Sequence, residues 1–210
     1  MIYLIGGAPR CGKSTIAKKL SKKISSSWIS ADALESIASV YIPGKDHDKA
    51  FPKYVIREKT KFSNDIMYSK YSAKEITRLY VEQSKTSFPA VKALVEVAEK
   101  EGDDQIIEGH QVQPKLISDL IKKYGKIKVK ALVLVRFDVK KIVAGAKKNK
   151  AKNDWFIQKT DKEETYPKIA QMIAEYSSYL KKEANKYDIE SYSMDGDFDK
   201  NIDGVIRYFS

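Results

Sequence analysis

Short apolar runs alternate along this chain with segments whose apolar positions recur every three or four residues. The first run, residues 2 to 6, reads as a strand. From Lys13 to about Ile24 the residues Ile16, Ala17, Leu20 and Ile24 fall at helical spacing. A short strand is expected at 27–30 and a helix from Asp32 to Tyr41. Residues 46–100 read as mostly helical, punctuated at Pro52, Ser72 and Pro89, and the amphipathic stretch from Phe88 closes on Gly102, where a helix-ending glycine belongs. Further strands are expected at 105–109, 128–137 and 188–194. The second half of 128–137 is continuously apolar, as a strand covered on both faces is. Helical patterns run over Val139–Lys148, about Glu163–Tyr187 and 201–209. Strands separated by helices imply a parallel sheet with right-handed crossovers, hence a three-layer α/β domain. The stretch 46–100 is longer than a crossover needs and is expected to project as a helical excursion.

Composition narrows the class. At 210 residues, 42% hydrophobic and 10% aromatic, the chain suits one globular domain spanning 1–210. No apolar run approaches the roughly 20 residues that cross a bilayer, and the opening Met-Ile-Tyr-Leu-Ile is too short for a secretory leader. A single cysteine, Cys11, rules out an internal disulfide framework and fits a reducing, cytoplasmic setting. The formal charge is +11, carried by 34 lysines and only five arginines. Such a balance suits an anionic small molecule or nucleic acid, and equally a set of solvated helix faces.

The chemistry concentrates in Gly-Ala-Pro-Arg-Cys-Gly-Lys-Ser, residues 7–14, which fits G-x-x-x-x-G-K-[ST] between a hydrophobic strand and an apolar-periodic helix. Gly7 and Gly12 allow the backbone to curl, so that amides of Ala8, Pro9–Cys11 and the helix start line an anion cradle (proline itself lacking the N–H). The helix from Lys13 adds its positive end. Lys13 suits β- and γ-phosphates, Ser14 suits Mg2+, and Thr15 completes the nucleotide-binding run. Arg10, at a variable position, either reaches the γ-phosphate or an anionic acceptor, or points to solvent. Cys11 reads as a small loop residue; the helix start beside it would lower its thiol pKa. The nearest approach to a guanine signature, residues 149–152, lacks the required aspartate. ATP with Mg2+ is therefore the expected cofactor pair.

Residues 4–15, 28–34, 106–114 and 193–209 together resemble the nucleoside-monophosphate-kinase-like group of P-loop kinases, which includes adenylate, shikimate and gluconate kinases and chloramphenicol phosphotransferase. The middle segments are most similar to archaeal-type 2-phosphoglycerate kinases. The resemblance implies a P-loop fold with sheet order 2-3-1-4-5, an acceptor between the sheet and the excursion at about 46–100, and a lid at about 145–165. It implies an ATP-dependent phosphotransferase acting on a small, anionic or polyhydroxylated metabolite. A nucleic-acid 5′-hydroxyl kinase and a non-catalytic nucleotide-binding module stand as alternatives.

By the same resemblance Asp32, just past the second strand, orients or deprotonates the acceptor hydroxyl; alternatively it caps the next helix with Glu35 in a capping box. Glu108 ends the third strand, where an acid contacts the magnesium shell through water or meets the acceptor; it could instead bond backbone. His110 and Gln111 follow in the same loop, where they would touch the acceptor; a lone histidine is alternatively structural. Arg57 and Arg78 lie in the excursion, where an acceptor's phosphate or carboxylate would bind, or simply on helix faces. The lid carries no arginine, only Lys147, Lys148, Lys150 and Lys152. That leaves those lysines, Arg10 or Arg136 to neutralise transition-state charge. Trp155 and Phe156 read as core, with covering the adenine or packing a lid hinge as alternatives, and Asp195 and Gly196 as weak candidates beside the adenine.

Overall fold

The computed structural model describes residues 1–148 and 154–209. Strand β1 (Ile2–Gly7) leads through the glycine loop into α1 (Lys13–Ile24), β2 (Ser27–Ser30) and α2 (Ala31–Tyr41). The excursion then runs through α3 (Gly44–Ala50), α4 (Pro52–Lys59), α5 (Asn64–Lys70), α6 (Ala73–Ser84) and, after a 3-10 turn, α7 (Phe88–Glu101). Next come β3 (Gln105–Glu108), α8 (Pro114–Tyr124), β4 (Val129–Val135), α9 (Val139–Lys148) and α10 (Trp155–Gln158). The chain closes with α11 (Thr165–Tyr187), β5 (Glu190–Ser193) and α12 (Phe198–Phe209).

The sheet is wholly parallel with order β2-β3-β1-β4-β5. Its alternating side chains feed two separate cores, which is what makes three layers. Tyr3, Ile5, Leu132 and Leu134 pack with Ile16, Leu20, Ile173 and Phe209 on one face. Ile2, Leu4, Val129 and Val133 pack with Val91, Val95, Leu116 and Leu120 on the other. The punctuation expected in the excursion has distinct physical causes. Pro52 opens α4 at its first position, and Ser72 caps α6 with Glu75 completing a capping box. Pro89 lies inside the first turn of α7 and breaks nothing, because no intrahelical N–H is needed there. Gly102 ends α7 in the left-handed region, at φ 75°.

Helix α8 had no counterpart in the expected elements. Its apolar side chains Leu116, Ile117, Leu120, Ile121 and Tyr124 recur at helical spacing and join the second core, while Lys115, Lys122 and Lys123 are exposed on the opposite face. Among the described residues no helix is long and apolar enough to cross a membrane.

Candidate active site

Strand register brings the candidate residues together. In the parallel sheet Ile5 and Ser30 both lie level with Glu108, and Gly7 lies level with Leu134. The carboxyl ends of β1, β2 and β3 therefore share one sheet edge, where ligands of open α/β sheets bind. The loop from Gly7 passes close against its neighbours at both glycines. Gly7 holds φ 146°, and a Cβ there would stand 2.6 Å from the carbonyl oxygen of Leu134. Gly12 holds φ 85°, in the left-handed region, before α1 begins at Lys13.

A cleft of about 410 Å³ opens over this edge. Its sheet side presents Pro9, Arg10, Lys13, Ser14, Asp32, Glu108 and His110. Its far side presents Lys53, Arg57, Met67, Tyr68 and Tyr80 of the excursion, with Trp155 at one end. Lys13 Nζ donates to the carbonyl of Ala8 at 2.8 Å, folded back over its own loop. Ser14 Oγ donates to Glu108 Oε1 at 2.9 Å. Burial pushes the Glu108 carboxyl above its ordinary range, against the pull of the Lys13 ammonium and the Ser14 and Ser30 hydroxyls.

Asp32 is not the helix cap. Ser30 is, its Oγ accepting from the Asp32 backbone N–H at 3.2 Å, and Asp32 occupies the first turn of α2. Nor does Glu35 complete a capping box: it accepts from Gln83 and Gln111 and lies 3.6 Å from Lys53 Nζ. The Asp32 side chain faces the cleft and is 69% exposed. Partial burial would raise its carboxyl, but hydrogen bonds from His110 and Gln111 and the Lys53 charge outweigh it, holding Asp32 well below the usual carboxylate range. Solvent at this exposed lip screens much of that effect.

The remaining candidates divide. Arg10 lies at φ 66°, a region non-glycine residues seldom hold. Its guanidinium is ion-paired with the buried Asp154 and sits over the Phe156 ring at 5.7 Å, so the charge is already engaged where the chain enters α10. Arg57 lines the cleft yet donates to Asn64 Oδ1 and the carbonyl of Phe62, both at 2.7 Å. Arg78 does not reach the cleft: its side chain is 72% exposed and pairs with Glu82 one turn along α6. Among the described residues the Arg136 guanidinium donates to the carbonyls of Arg10 and Lys141. Lys147 pairs with Glu163, away from the cleft lining, while Lys150 and Lys152 fall outside the described residues.

Cys11 is a small loop residue packed into the core, and the helix start beside it does not activate its thiol. It is fully buried, and burial pushes its thiol up to about 11 despite the nearby Lys13 and Arg136 charges. Asp195 is structural, its carboxylate accepting from the backbone N–H groups of Phe137 and Asp138. Gly196 packs beside Asn201. Phe156 is core, as expected, but Trp155 is cleft lining. Lys53 was missed. It lies 4.7 Å from the Tyr80 ring centroid, in cation–π range, and nothing local distinguishes it from 33 other lysines.

The group Mg2+ requires is modest, since it is held chiefly by phosphates, water and one or two protein oxygens. The hydroxyl of Ser14 and the carboxylate of Glu108, in contact at the loop, fit that donor set. No cluster of three or more acidic, histidine or cysteine ligands occurs among the described residues.

Neither a protein-family model nor a curated relative matches the sequence. Similar solved structures include shikimate kinase from Bacteroides thetaiotaomicron, at 14% identity and TM-score 0.47 over 100% of this chain and 98% of that one. Deoxyadenosine kinase from M. mycoides with bound dATP is similar at 15% identity and TM-score 0.47, over 100% and 99%. An uncharacterized protein from Eubacterium ventriosum is similar at 14% identity and TM-score 0.46, over 99% and 97%. Overlap at that level carries no argument about chemistry. The molecule's own architecture establishes the fold, a three-layer α/β P-loop domain with the sheet order that the resemblance to nucleoside-monophosphate-kinase-like proteins implies.

Proposed function

We propose that this chain is an ATP-dependent phosphotransferase that moves the γ-phosphate to a hydroxyl of a small, anionic or polyhydroxylated metabolite. One observation carries the reading. The phosphate loop, the Ser14–Glu108 pair and the ionised, cleft-facing Asp32 share one cleft whose opposite wall comes from the helical excursion. A phosphate loop alone indicates a nucleotide; an unblocked carboxylate across from it indicates an acceptor.

The loop amides and the α1 N-terminus hold the phosphates, and Lys13 exchanges the Ala8 carbonyl for phosphate oxygens. Ser14, directly, and Glu108, through water, would hold a magnesium ion, which would supply positive charge to offset that of the phosphates. The acceptor hydroxyl lies against Asp32. Its oxygen bonds to the γ-phosphorus as the bond to the ADP oxygen breaks, and its proton passes to the Asp32 carboxylate. Phosphoryl transfer asks mainly for alignment and charge compensation, so a carboxylate held ionised serves by orienting the hydroxyl and taking the proton late. Lys53 and Arg57 supply positive charge on the acceptor side.

The basic surface gives less support to a nucleic-acid substrate. Several of its lysines are paired along helix faces, as in Lys92–Asp119, Lys123–Glu96 and Lys128–Glu99. ADP release screened over a library of hydroxyl-bearing metabolites, with a 5′-hydroxyl oligonucleotide included, tests the reading. A metabolite should raise release over background in the wild type but not in Lys13→Ala, and weakly in Asp32→Asn. Stimulation by the oligonucleotide alone points to the nucleic-acid kinase, and equal release by wild type and Lys13→Ala refutes both.

A further inference from the structure

The loop leaving β3 sends two side chains to the same oxygen. Gln111 Nε2 donates to Asp32 Oδ1 at 2.7 Å, and His110 Nδ1 lies 3.2 Å from that oxygen. Contact with an ionised carboxylate requires the proton on Nδ1, so the neutral ring carries none on Nε2. Nε2 is sealed from solvent and has no hydrogen-bond partner. The ring lies edge-on to Tyr80, with centroids 5.1 Å apart, and the residue is 6% exposed. An acceptor in the cleft cannot reach that nitrogen.

We infer that His110 is a positioning residue and not an acceptor contact: with Gln111 it grips Asp32 by Oδ1 and leaves Oδ2 as the oxygen presented to the acceptor. The inference rests on the role proposed for Asp32 above. Oδ2 has no hydrogen-bond partner among the described residues, and the side chain that bears it is largely exposed to the cleft. The grip is held from behind. The carbonyl of His110 accepts from Tyr176 Oη at 2.9 Å, and the second amide proton of Gln111 goes to Glu35 Oε2 at 3.2 Å. The Asp32 backbone is anchored to Ser30, so the two donors need only fix the rotation of the carboxylate. His110 Nε2 and Gln111 Oε1 are already buried without partners, so rotating either donor away from Asp32 would add an unpaired N–H to the same pocket.

With only two histidines in the chain, His47 and His110, ring-15N labelling tests the grip directly. The signal lost in His110→Gln identifies the ring. At pH 7 it should be in the Nδ1–H form in the wild type and should revert towards Nε2–H, the form free imidazole favours, in Asp32→Leu. Any other form in the wild type, or a form indifferent to Asp32→Leu, overturns the inference. Turnover supplies the second readout, with MgATP and water as the acceptor. His110→Asn places an amide donor where Nδ1–H stood, and should keep kcat within about threefold; His110→Gln places it at the Nε2 position and should lose about tenfold in kcat with KM for ATP unchanged. The opposite order, glutamine rescuing and asparagine not, overturns the inference. If Asp32→Asn itself turns over like wild type, the base assignment falls, and the ring form still decides whether His110 and Asp32 are joined.

Discussion

Replacing Tyr176 with phenylalanine removes a single oxygen from α11, but one placed behind the loop that carries His110 and Gln111. That hydroxyl donates to the His110 carbonyl at 2.9 Å and accepts from Gln113 Nε2 at 3.2 Å, with the side chain of Ser84 also in reach. Tyr176, His110 and Gln113 are all buried, so water cannot take the missing place. A buried polar group left unpaired costs about 1–3 kcal/mol, and two are disturbed here; Ser84 and the extra apolar character of phenylalanine offset part, leaving about 2 kcal/mol. At about 2–4 °C per kcal/mol for a chain of this size, the melting temperature should fall by roughly 4–8 °C. Tyr179→Phe is the internal control. Its hydroxyl reaches Gln113 Oε1 only at 3.5 Å from a half-buried position, so its loss should cost less than about 0.5 kcal/mol and shift Tm by under about 2 °C. Calorimetric melts of the three proteins without nucleotide decide the matter. A Tyr176→Phe melt within 1 °C of wild type, or a larger loss in Tyr179→Phe, would refute the claim that this hydroxyl anchors the site loop.

Ligand linkage gives a second outcome: MgATP at a hundred times its Kd should stabilise the wild type by about 2.7 kcal/mol, visible as a rise in Tm, whereas Lys13→Ala should show little or none. An equal rise in both would remove Lys13 from the phosphate site. Cys11, with its thiol pushed up to about 11 by burial, is almost wholly protonated at pH 8. Native protein should therefore resist a thiol-reactive disulfide reagent, and urea-unfolded protein should react at once; fast reaction of the native chain contradicts the burial. Gly7→Ala forces a Cβ to 2.6 Å from the Leu134 carbonyl oxygen, in a backbone region alanine avoids, and should cost at least about 3 kcal/mol by denaturant melt. A cost below 1 kcal/mol would mean that β1 and β4 do not meet there as described.

What the sequence revealed was what local spacing encodes. The loop from Gly7 to Ser14 is readable because strand, glycine positions, lysine and helix are contiguous, and the bounds of α1 and β2 match the pattern closely. Asp32 and Glu108 were legible for a related reason, since parallel strands end at one edge and place the residues just past them together. The rest depends on long-range partners. Arg10 meets Asp154, 144 positions away, and that pairing changes a free charge into an engaged one. Lys53 matters only because the excursion folds back over the sheet and sets it between Glu35 and Tyr80. Cys11 read correctly as a small loop residue, but the pull of the adjacent helix start on its thiol loses to desolvation by the surrounding core. Asp195 looked like a nucleotide contact until the β4 exit supplied two backbone N–H groups for its carboxylate. Helix α8 was legible too, since Leu116, Ile117, Leu120, Ile121 and Tyr124 recur at helical spacing, and it was missed.

The central claim, that this cleft joins a nucleotide to a hydroxyl-bearing acceptor, is tested most directly by following the phosphate itself. γ-32P-labelled ATP, Mg2+ and the protein are incubated with a deproteinised metabolite mixture and the labelled products are separated. The account predicts label in a new small phosphorylated compound with the wild type, none with Lys13→Ala, and a sharply reduced yield with Asp32→Asn. Label recovered only as ATP and inorganic phosphate, or the same new compound formed equally by Lys13→Ala, would contradict it.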